Sequence, residues 1–217
     1  MSFWSFSDPA VQLRWTEGSC TWRGVHNPLL EQWLKAGTRS FTPWADKSGC
    51  LRFGGRGDPP LVCQYAWAIP CPEALDVLAA LSPLVEMGAG TGYWAHLLQK
   101  GGADVLPFDS QPYSNHQAEG RFTEVSLGGS EIAGSYPERV LFLCWPPNDD
   151  PMGAAALEAH HAAGGQQVAY IGEGDGGCTA DDRFHTFLEE HYREVRRVEL
   201  PQWYGIHDDL GVYARKF

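Results

Sequence analysis

The part of this sequence with the clearest chemical potential is the glycine-rich segment from Glu86 to Gly92, which reads Glu-Met-Gly-Ala-Gly-Thr-Gly. Glycines at this spacing, between a strand and a helix, let the backbone approach a ligand and present N–H groups and the positive end of the helix to it. Asp109 follows Gly88 by 21 residues, at the end of the next predicted strand, where a carboxylate can accept hydrogen bonds from a ribose. This spacing predicts a site for a cofactor that contains a nucleoside.

Two kinds of nucleoside cofactor compete for a turn of this type. A nicotinamide dinucleotide site has glycine at the sixth position of its fingerprint, where the helix packs closely on the strand. This chain has Tyr93 at that position, and the acidic Glu86 beside the turn would repel a diphosphate. A sulfonium nucleoside carries no diphosphate, and its cationic amino-acid portion suits Glu86. The turn therefore favours the sulfonium nucleoside.

The segment from Leu84 to Trp94 resembles the first motif of the class I S-adenosylmethionine-dependent methyltransferases. Asp109 is similar to the acid with which that superfamily binds the ribose hydroxyls. The resemblance extends from about Pro72 to Phe217, and it implies S-adenosylmethionine as the cofactor. The cofactor-binding residues expected on this basis are Glu86, Gly88, Ala89, Gly90, Thr91, Gly92, Tyr93, Trp94, Asp109, Ser110 and Cys144.

Acceptor-binding residues are expected beyond the carboxyl ends of the later strands, where ligands bind on such sheets. The segment from Trp145 to Asn148 resembles the Asp/Asn-Pro-Pro-aromatic motif of methyltransferases that act on amino groups. It has Trp in place of the acid or amide, and Asn in place of the aromatic residue. These departures leave amine methylation without support from this motif, and the two prolines also suit a simple strand end. We predict that Trp145 and Pro146 contact the acceptor and that Trp145 takes part in catalysis.

Further candidates lie in a loop before the last predicted strand and in the segment before the first helix of the sheet. His207 could act as a general base on the acceptor, or it could be a surface histidine in a polar loop. Trp203 and Tyr204 lie in the same loop and are predicted to bind the acceptor. Tyr65 and Trp67 precede the helix, where this superfamily often closes a lid, although core packing explains them equally well.

A regular pattern from Pro72 onwards supplies the elements that position these residues. It predicts a helix from Pro72 to about Ser82, a buried strand over Leu84 to Met87, and a helix over Tyr93 to Lys100 that ends at two glycines. The elements predicted after these are strands over Ala103 to Phe108, Arg121 to Val125, Arg139 to Cys144 and Gln167 to Ile171, helices over Pro151 to Ala163 and Asp181 to Tyr192, and a final hairpin of Glu194 to Leu200 and Gly211 to Arg215.

This alternation predicts an α/β fold, namely a doubly wound, mostly parallel, seven-stranded Rossmann-like sheet with an antiparallel C-terminal hairpin. Residues 1–70 differ, because turn residues dominate there and only Pro28 to Ala36 and Val62 to Ala68 could hold helices. We interpret residues 1–70 as an irregular, aromatic-rich N-terminal cap and residues 71–217 as the cofactor-binding domain.

Composition and charge limit the partners of this 217-residue chain. Its net charge of −11 works against nucleic-acid binding, which relies on Lys and Arg at the phosphates. The sequence contains no apolar run of about 18 residues, as a membrane span requires, and its first residues lack the features of a secretory signal. Six scattered cysteines, without metal-ligand spacing, predict reduced thiols and no metal site. We therefore expect a cytoplasmic monomer or homodimer that acts on a small molecule, with no nucleic-acid or membrane partner.

The leading functional hypothesis is methyl transfer from S-adenosylmethionine to a small-molecule acceptor. Because the sulfonium is already an activated donor, the protein has to align the acceptor and exclude water. Two alternatives stay open at this point. The same fold and cofactor could cyclise or cleave S-adenosylmethionine, or the chain could be a non-catalytic partner protein that binds the cofactor.

Overall fold

The computed structural model describes residues 14–36, 61–112, 121–203 and 205–216. Its first part contains a 3-10 helix over Glu17–Cys20, a small hairpin of β1 (Thr21–Trp22) and β2 (Val25–His26), and helices α1 (Pro28–Ala36) and α2 (Leu61–Gln64). The elements that follow are α3 (Pro72–Ala80), β3 (Leu84–Met87), α4 (Tyr93–Lys100), β4 (Val105–Asp109), β5 (Ser126–Leu127), a 3-10 helix over Ser130–Ser135, β6 (Val140–Cys144), α5 (Met152–Ala162), β7 (Gln167–Gly172), α6 (Asp182–His191), β8 (Tyr192–Glu199) and β9 (Asp209–Arg215).

Seven strands form one sheet in the order β5-β4-β3-β6-β7-β9-β8. Neighbours from β5 to β7 run parallel, whereas β9 is antiparallel to both β7 and β8. The strand order reverses beside β3, because the chain first adds strands on one side of it and then on the other. Ligands bind at such a reversal in open α/β sheets. The doubly wound, seven-stranded Rossmann-like fold predicted from the sequence is confirmed, including its antiparallel hairpin.

The sheet separates two hydrophobic cores. In β3, Leu84 belongs to the core beneath α3, α4 and the N-terminal residues, while Val85 and Met87 belong to the core beneath α5 and α6. This alternation follows from the two-residue period of a strand whose two faces are both buried. Glu86 therefore points to the same side as Leu84, where the glycine turn and the N-terminal residues lie.

Residues 14–36 contribute to the first of these cores. Trp15, Trp22 and Trp33 are each at most 5% exposed and belong to the same cluster as the helices α3 and α4. Tyr93 of α4 fixes this region through its hydroxyl, which donates to Asn27 Oδ1 at 2.7 Å and accepts from the Leu29 N–H at 3.3 Å. The boundary at residue 70 stays a prediction, since this packing alone does not define a domain.

Two predicted elements were wrong in place or length. The weak strand expected over Arg121 to Val125 is a loop, and the edge strand is Ser126–Leu127 instead. Phe122 turns away from the sheet edge because its ring stacks on Tyr65 at 5.4 Å between centroids and its N–H donates to the Thr91 carbonyl. The helix expected over Val62 to Ala68 ends at Gln64, because the Tyr65 carbonyl accepts a hydrogen bond from the Thr91 hydroxyl.

Across the described ranges, no helix combines the length and the apolar character that crossing a bilayer requires. The same ranges contain no group of three or more His, Cys, Asp or Glu side chains placed to hold a metal ion.

Candidate functional site

The glycine turn connects the carboxyl end of β3 to the start of α4. Gly88, Gly90 and Gly92 all have positive φ, at 76°, 55° and 75°, a conformation that glycine adopts without the strain that a side chain would bring. Gly92 caps the N-terminus of α4 in the left-handed region. The sequence folds here as expected, with a tight turn between a buried strand and an amphipathic helix.

The backbone N–H groups of the turn are used differently from the sequence-based expectation. The N–H groups of Gly88 and Ala89 both donate to the Phe108 carbonyl, at 2.9 and 3.0 Å, and that of Gly92 donates to the Ala89 carbonyl. The Gly90 N–H donates to Asp109 Oδ2 at 2.9 Å. Three of these N–H groups are therefore bonded to the end of β4 and the fourth to the turn itself, and the ligand expected beside the turn stays a prediction.

Glu86 is the buried charge of the site. It is 2% exposed, and its Oε2 has no hydrogen-bond partner among the described residues. Burial, with a smaller contribution from the nearby Asp109, raises the pKa of Glu86 to about 8. A carboxyl group in this position either holds a proton or attracts a cation, because an unpaired charge is costly away from water.

Asp109 stands at the end of β4, as predicted from its spacing to Gly88. Its Oδ2 accepts the Gly90 N–H and its Oδ1 accepts the Gln111 N–H at 2.7 Å. A carboxylate has about four acceptor positions, so two bonds to described residues leave room for further donors, and the predicted ribose contact stays a prediction. The predicted neighbour Ser110 is exposed.

A small cavity of about 40 Å³ lies between the turn and the segment Tyr65–Trp67, which we call the covering segment. The cavity is lined by Tyr65, Ala66, Trp67, Glu86, Gly88, Ala89, Gly90, Thr91, Tyr93, Trp94, Cys144 and Trp145. It therefore unites most of the predicted cofactor residues with three predicted acceptor residues. Trp94 packs edge-on against Phe142 at 6.0 Å, and its Nε1 has no hydrogen-bond partner in the part of the chain that the structure describes.

Besides the contacts of the Tyr65 side chain with Gln32 and Phe122, three contacts join the covering segment to the glycine turn, the loop before β9 and the loop after β6. The Thr91 hydroxyl donates to the Tyr65 carbonyl at 2.5 Å, and Trp203 Nε1 donates to the Trp67 carbonyl at 2.6 Å. The Trp67 ring stacks on Trp145, with centroids 4.9 Å apart and planes 15° apart. Sites for drug-sized ligands have volumes of about 300–1,000 Å³, so a nucleoside cofactor requires this segment to move outwards.

Trp145 begins the loop after β6 in an unusual conformation. Its φ is 54°, a region that bulky residues rarely occupy. Its Nε1 donates to Asp208 Oδ2 at 2.8 Å, and this bond together with the Trp67 stack holds the indole in place. Pro146, predicted to contact the acceptor, is buried, and its Cβ lies 3.1 Å from the position that a Cβ on Gly153 would take, which places it against the first turn of α5.

The loop before β9 differs from the prediction in its key residue. His207 is exposed, does not join the described residues that line the cavity, and contributes a backbone N–H to Glu173 Oε1 at 2.7 Å. Asp208, one residue further, is 1% exposed and bonded to Trp145. Trp203 is buried and binds the covering segment. Tyr204 lies outside the described residues, so its predicted role is untested.

Asp208 and Phe122 are functional candidates that the sequence did not single out. Asp208 and Asp209 are adjacent acids at the start of an apolar strand, and residue type alone does not indicate which of the two is buried. Phe122 was read as part of a strand, whereas its ring contacts Tyr65 and Tyr93. Only the alternation of β9, which starts at Asp209, offers a signal that Asp208 and Leu210 point to the same side.

Comparison with protein-family profiles and with curated proteins finds no match. Among solved structures, the chain is similar to a TehB-like S-adenosylmethionine-dependent methyltransferase from Corynebacterium glutamicum, with 18% identity and a TM-score of 0.43 over 66% of this chain and 87% of that one. It is similar to the magnesium protoporphyrin IX methyltransferase of Synechocystis with bound S-adenosylhomocysteine (10%, 0.41, 66% and 80%). It is also similar to an rRNA methylase from Streptococcus thermophilus (19%, 0.42, 67% and 96%).

With identities and TM-scores this low, none of these similarities decides the ligand, the acceptor or the activity of this chain. What the chain itself provides is a strand order that reverses beside β3, a glycine turn after that strand and an antiparallel last strand. In its own strand order and turn, the chain has a doubly wound, seven-stranded Rossmann-like fold with an antiparallel last strand.

Proposed function

We propose that this protein binds S-adenosylmethionine at the glycine turn and transfers its methyl group to a small molecule. The observation that carries the proposal is the buried Glu86 carboxyl, whose Oε2 has no partner among the described residues and which lines the cavity together with the positive-φ glycines Gly88 and Gly90. A buried carboxyl without a partner suits the ammonium group of the methionine portion. Asp109, with two acceptor positions left, suits the ribose hydroxyls.

The cofactor, when bound, supplies an activated methyl group on its sulfonium sulfur. The residues of the chain would hold and enclose it. Glu86 would take the ammonium group, Asp109 the ribose, and the free Trp94 Nε1 could donate to a ligand acceptor. Aromatic walls from Trp67 and Trp145 would exclude water and align the acceptor, which is the main requirement of a direct transfer.

The acceptor is proposed to be small because the net charge of −11 disfavours a polyanionic partner. The position beyond the carboxyl ends of β3 and β6 is also narrow, since the covering segment lies directly over it. The proposed location is the cytoplasm, because the five described cysteines are all free thiols. His207 stays a weaker candidate for a general base, as its side chain is exposed.

Isothermal titration with S-adenosylmethionine and with S-adenosylhomocysteine tests cofactor binding. We expect both to bind the wild type, and Asp109→Ala to weaken binding by roughly ten- to a hundredfold, which is the loss of one or two charge-assisted hydrogen bonds. Asp182→Ala, which removes an exposed acid in α6, is the matched control and should leave binding unchanged. Mass analysis of the products then distinguishes methyl transfer, which yields S-adenosylhomocysteine in stoichiometric amount, from cyclisation or cleavage of the cofactor.

A second candidate function, a non-catalytic protein with this fold, is favoured by one observation. The cavity of about 40 Å³ is closed by the covering segment, which is attached to the glycine turn, the loop before β9 and the loop after β6. If neither compound binds at high micromolar concentration, and Asp109→Ala behaves like the control, the cofactor proposal is wrong and the non-catalytic candidate takes its place.

A further inference from the structure

Asp208 is a buried carboxylate whose surroundings leave one oxygen without a partner. Its Oδ2 accepts the Trp145 Nε1–H, while its Oδ1 has no hydrogen-bond partner among the described residues. Burial raises the pKa of Asp208 to about 7, against the lowering effect of its bonds to Trp145 and to its own backbone N–H, and the nearby acids Glu173 and Asp209 add to the rise. Arg197 of β8 forms its ion pairs with Asp209 and Glu194.

The loop that carries Asp208 is fixed, so the orientation of the carboxylate is set by the fold. The Asp208 carbonyl accepts from Gln202 Nε2 at 3.1 Å, and the Ile206 N–H donates to the Trp203 carbonyl at 3.0 Å. The His207 N–H is held by Glu173, whose other oxygen binds the Cys178 N–H at 2.8 Å. Several contacts therefore hold a carboxylate in a place where no described cation pairs with it.

Asp208 also lies at the edge of the sheet where the glycine turn lies. It directly precedes β9, whose first residue Asp209 pairs with Gly172 at the carboxyl end of β7. Both Glu86 and Asp208 raise the pKa of the Cys144 thiol, which lines the cavity. One side chain, the Trp145 indole, therefore contacts the cavity and binds Asp208.

We propose that Asp208 binds the acceptor and that the acceptor is a small amine with an aromatic or apolar portion. The free Oδ1 would accept a hydrogen bond from the amine or ammonium group. The flat portion would lie on Trp145, in the place that Trp67 now covers, where an indole face also attracts a cation. The proposal rests on the proposed function, because the same outward movement of the covering segment that admits the cofactor uncovers Trp145.

Trp145 and Asp208 form one unit, because the indole Nε1–H is bonded to the carboxylate from the loop before β9. The indole offers a flat face, and the carboxylate offers an oxygen without a partner among the described residues. Asp208 is therefore the residue that would select an amine over a neutral acceptor.

Titration calorimetry with three pairs of probes tests the proposal: benzylamine with benzyl alcohol, phenethylamine with phenethyl alcohol, and tryptamine with tryptophol. Each pair differs in one group, and each is measured with and without saturating S-adenosylhomocysteine. For at least one pair we expect the wild type to bind the amine roughly tenfold or more tightly than the alcohol, as for a charge-assisted hydrogen bond. Asp208→Asn should bring this ratio close to one. Its amide oxygen can still accept the Trp145 Nε1–H, so an unchanged tryptophan emission spectrum would report an intact fold.

Asp182→Asn is the control, since it removes an exposed acid in α6 that forms none of the contacts described around Asp208, and it should retain the ratio. The proposal is overturned if no amine binds at millimolar concentration, if amines and alcohols bind alike, or if the preference survives in Asp208→Asn. These outcomes are separate from failure of the proposed function, which is read from the titration of S-adenosylhomocysteine alone. If Asp208→Asn does not fold, the amine-to-alcohol ratio of the wild type still decides whether an amine is preferred, and Asp208→Glu, which keeps the charge, should retain that ratio.

Discussion

Glu86 shows how burial, together with a neighbouring acid, can make one residue responsive to pH. Its folded-state pKa, about 8, lies above the ordinary value of 4.5, so the folded chain holds this proton more tightly than the unfolded chain does. Between those two values the unfolded state releases the proton first, and the free energy of unfolding therefore falls as pH rises. The contribution of this proton to the free energy of unfolding is complete below about pH 4.5 and is lost as the pH rises through 8.

We predict that Glu86→Gln flattens this dependence, because glutamine has no proton to release. At pH 8 the variant should be more stable than the wild type by on the order of 1 kcal/mol or more, and the two should converge at pH 5. Urea unfolding at pH 5, 6.5 and 8 measures the difference, with Glu190→Gln, an exposed acid, as control. Parallel pH profiles for Glu86→Gln and the wild type would contradict the prediction. The wild-type slope also contains Asp208, so the double variant with Asp208→Asn should be flatter still.

The site residues that could be predicted from the sequence are those whose positions depend on spacing along the chain. Those that were missed depend on contacts between strands and loops far apart in the sequence. Glu86, the three glycines and Asp109 follow from a strand, a turn and a second strand of known length. The occupation of the turn's N–H groups by Phe108 depends on how β3 and β4 are aligned, which local spacing does not determine. Asp208 was missed for a similar reason, because its burial comes from Trp145, 63 residues earlier in the chain.

Two adjacent glycines, Gly101 and Gly102, follow α4, and Gly101 packs against Trp22 of the β1–β2 hairpin. A Cβ on Gly101 would lie 1.9 Å from the Trp22 ring, although the backbone there has an ordinary negative φ. A Cβ on Gly102 would meet no described atom within 4 Å, but φ is 92°. Trp22 is also held by its Nε1, which donates to Asp76 Oδ1 of α3 at 2.9 Å. A side chain at Gly101 would therefore clash with Trp22, whereas a side chain at Gly102 would only strain the backbone.

We predict that Gly101→Ala displaces the Trp22 ring and lowers the free energy of unfolding by roughly 2–4 kcal/mol, as overpacking and loss of a buried aromatic contact do. Gly102→Ala should cost only about 1 kcal/mol, the ordinary penalty of a left-handed residue, and leave tryptophan emission unchanged. Urea unfolding and the emission maximum measure both effects. The double variant Gly101→Ala/Trp22→Ala should be destabilised by less than the sum of the two single variants, because without the Trp22 ring the new methyl group has nothing to clash with. Full additivity would show that the two residues do not contact each other.

At the element scale, the helices and strands after Pro72 were predictable because each has a clear period and an end signal. Gly101 ends α4 as expected, and the burial of all four residues of β3 fits a strand covered on both faces. The β1–β2 hairpin was not predicted, since strands of two residues carry no period. The short edge strand β5 was displaced because Phe122 packs on the aromatic rings beside the turn and does not extend the sheet.

At the scale of the whole molecule, the covering segment is bonded to the loop before β9 through Trp203. This bond predicts how a substitution in that loop changes the affinity for S-adenosylhomocysteine. Trp203→Phe removes the hydrogen bond from Nε1 to the Trp67 carbonyl and so weakens the closed arrangement by about 0.5–1.5 kcal/mol. Because binding requires the segment to move, S-adenosylhomocysteine should bind this variant roughly two- to tenfold more tightly than the wild type.

Trp33→Phe is the matched control for that prediction. Its Nε1 donates to the Gln202 carbonyl at 3.1 Å, a bond of the same kind that does not involve the covering segment. It should cost similar stability and leave the affinity unchanged. Hydrogen exchange of residues 65–69 gives a second measurement, since these amides should exchange faster in Trp203→Phe even before any ligand is added. Equal affinities for the two variants would mean that the segment does not have to move.

The position of β9 has a consequence for the order of events during folding. This strand lies between β7 and β8, and β8 joins the sheet only through it among the described strands. Contacts between segments far apart in sequence form slowly, because a long loop must close first. At Glu199 and Asp209, β8 pairs with β9 across only 10 residues, and at Gly172 and Asp209, β7 pairs with β9 across 37 residues, whereas β3 pairs with β6 across 56 residues at Leu84 and Val140. The strands on the Asp208 side of the sheet can therefore pair before β3 joins β6, so the contact between Asp208 and Trp145 does not depend on a completed glycine turn.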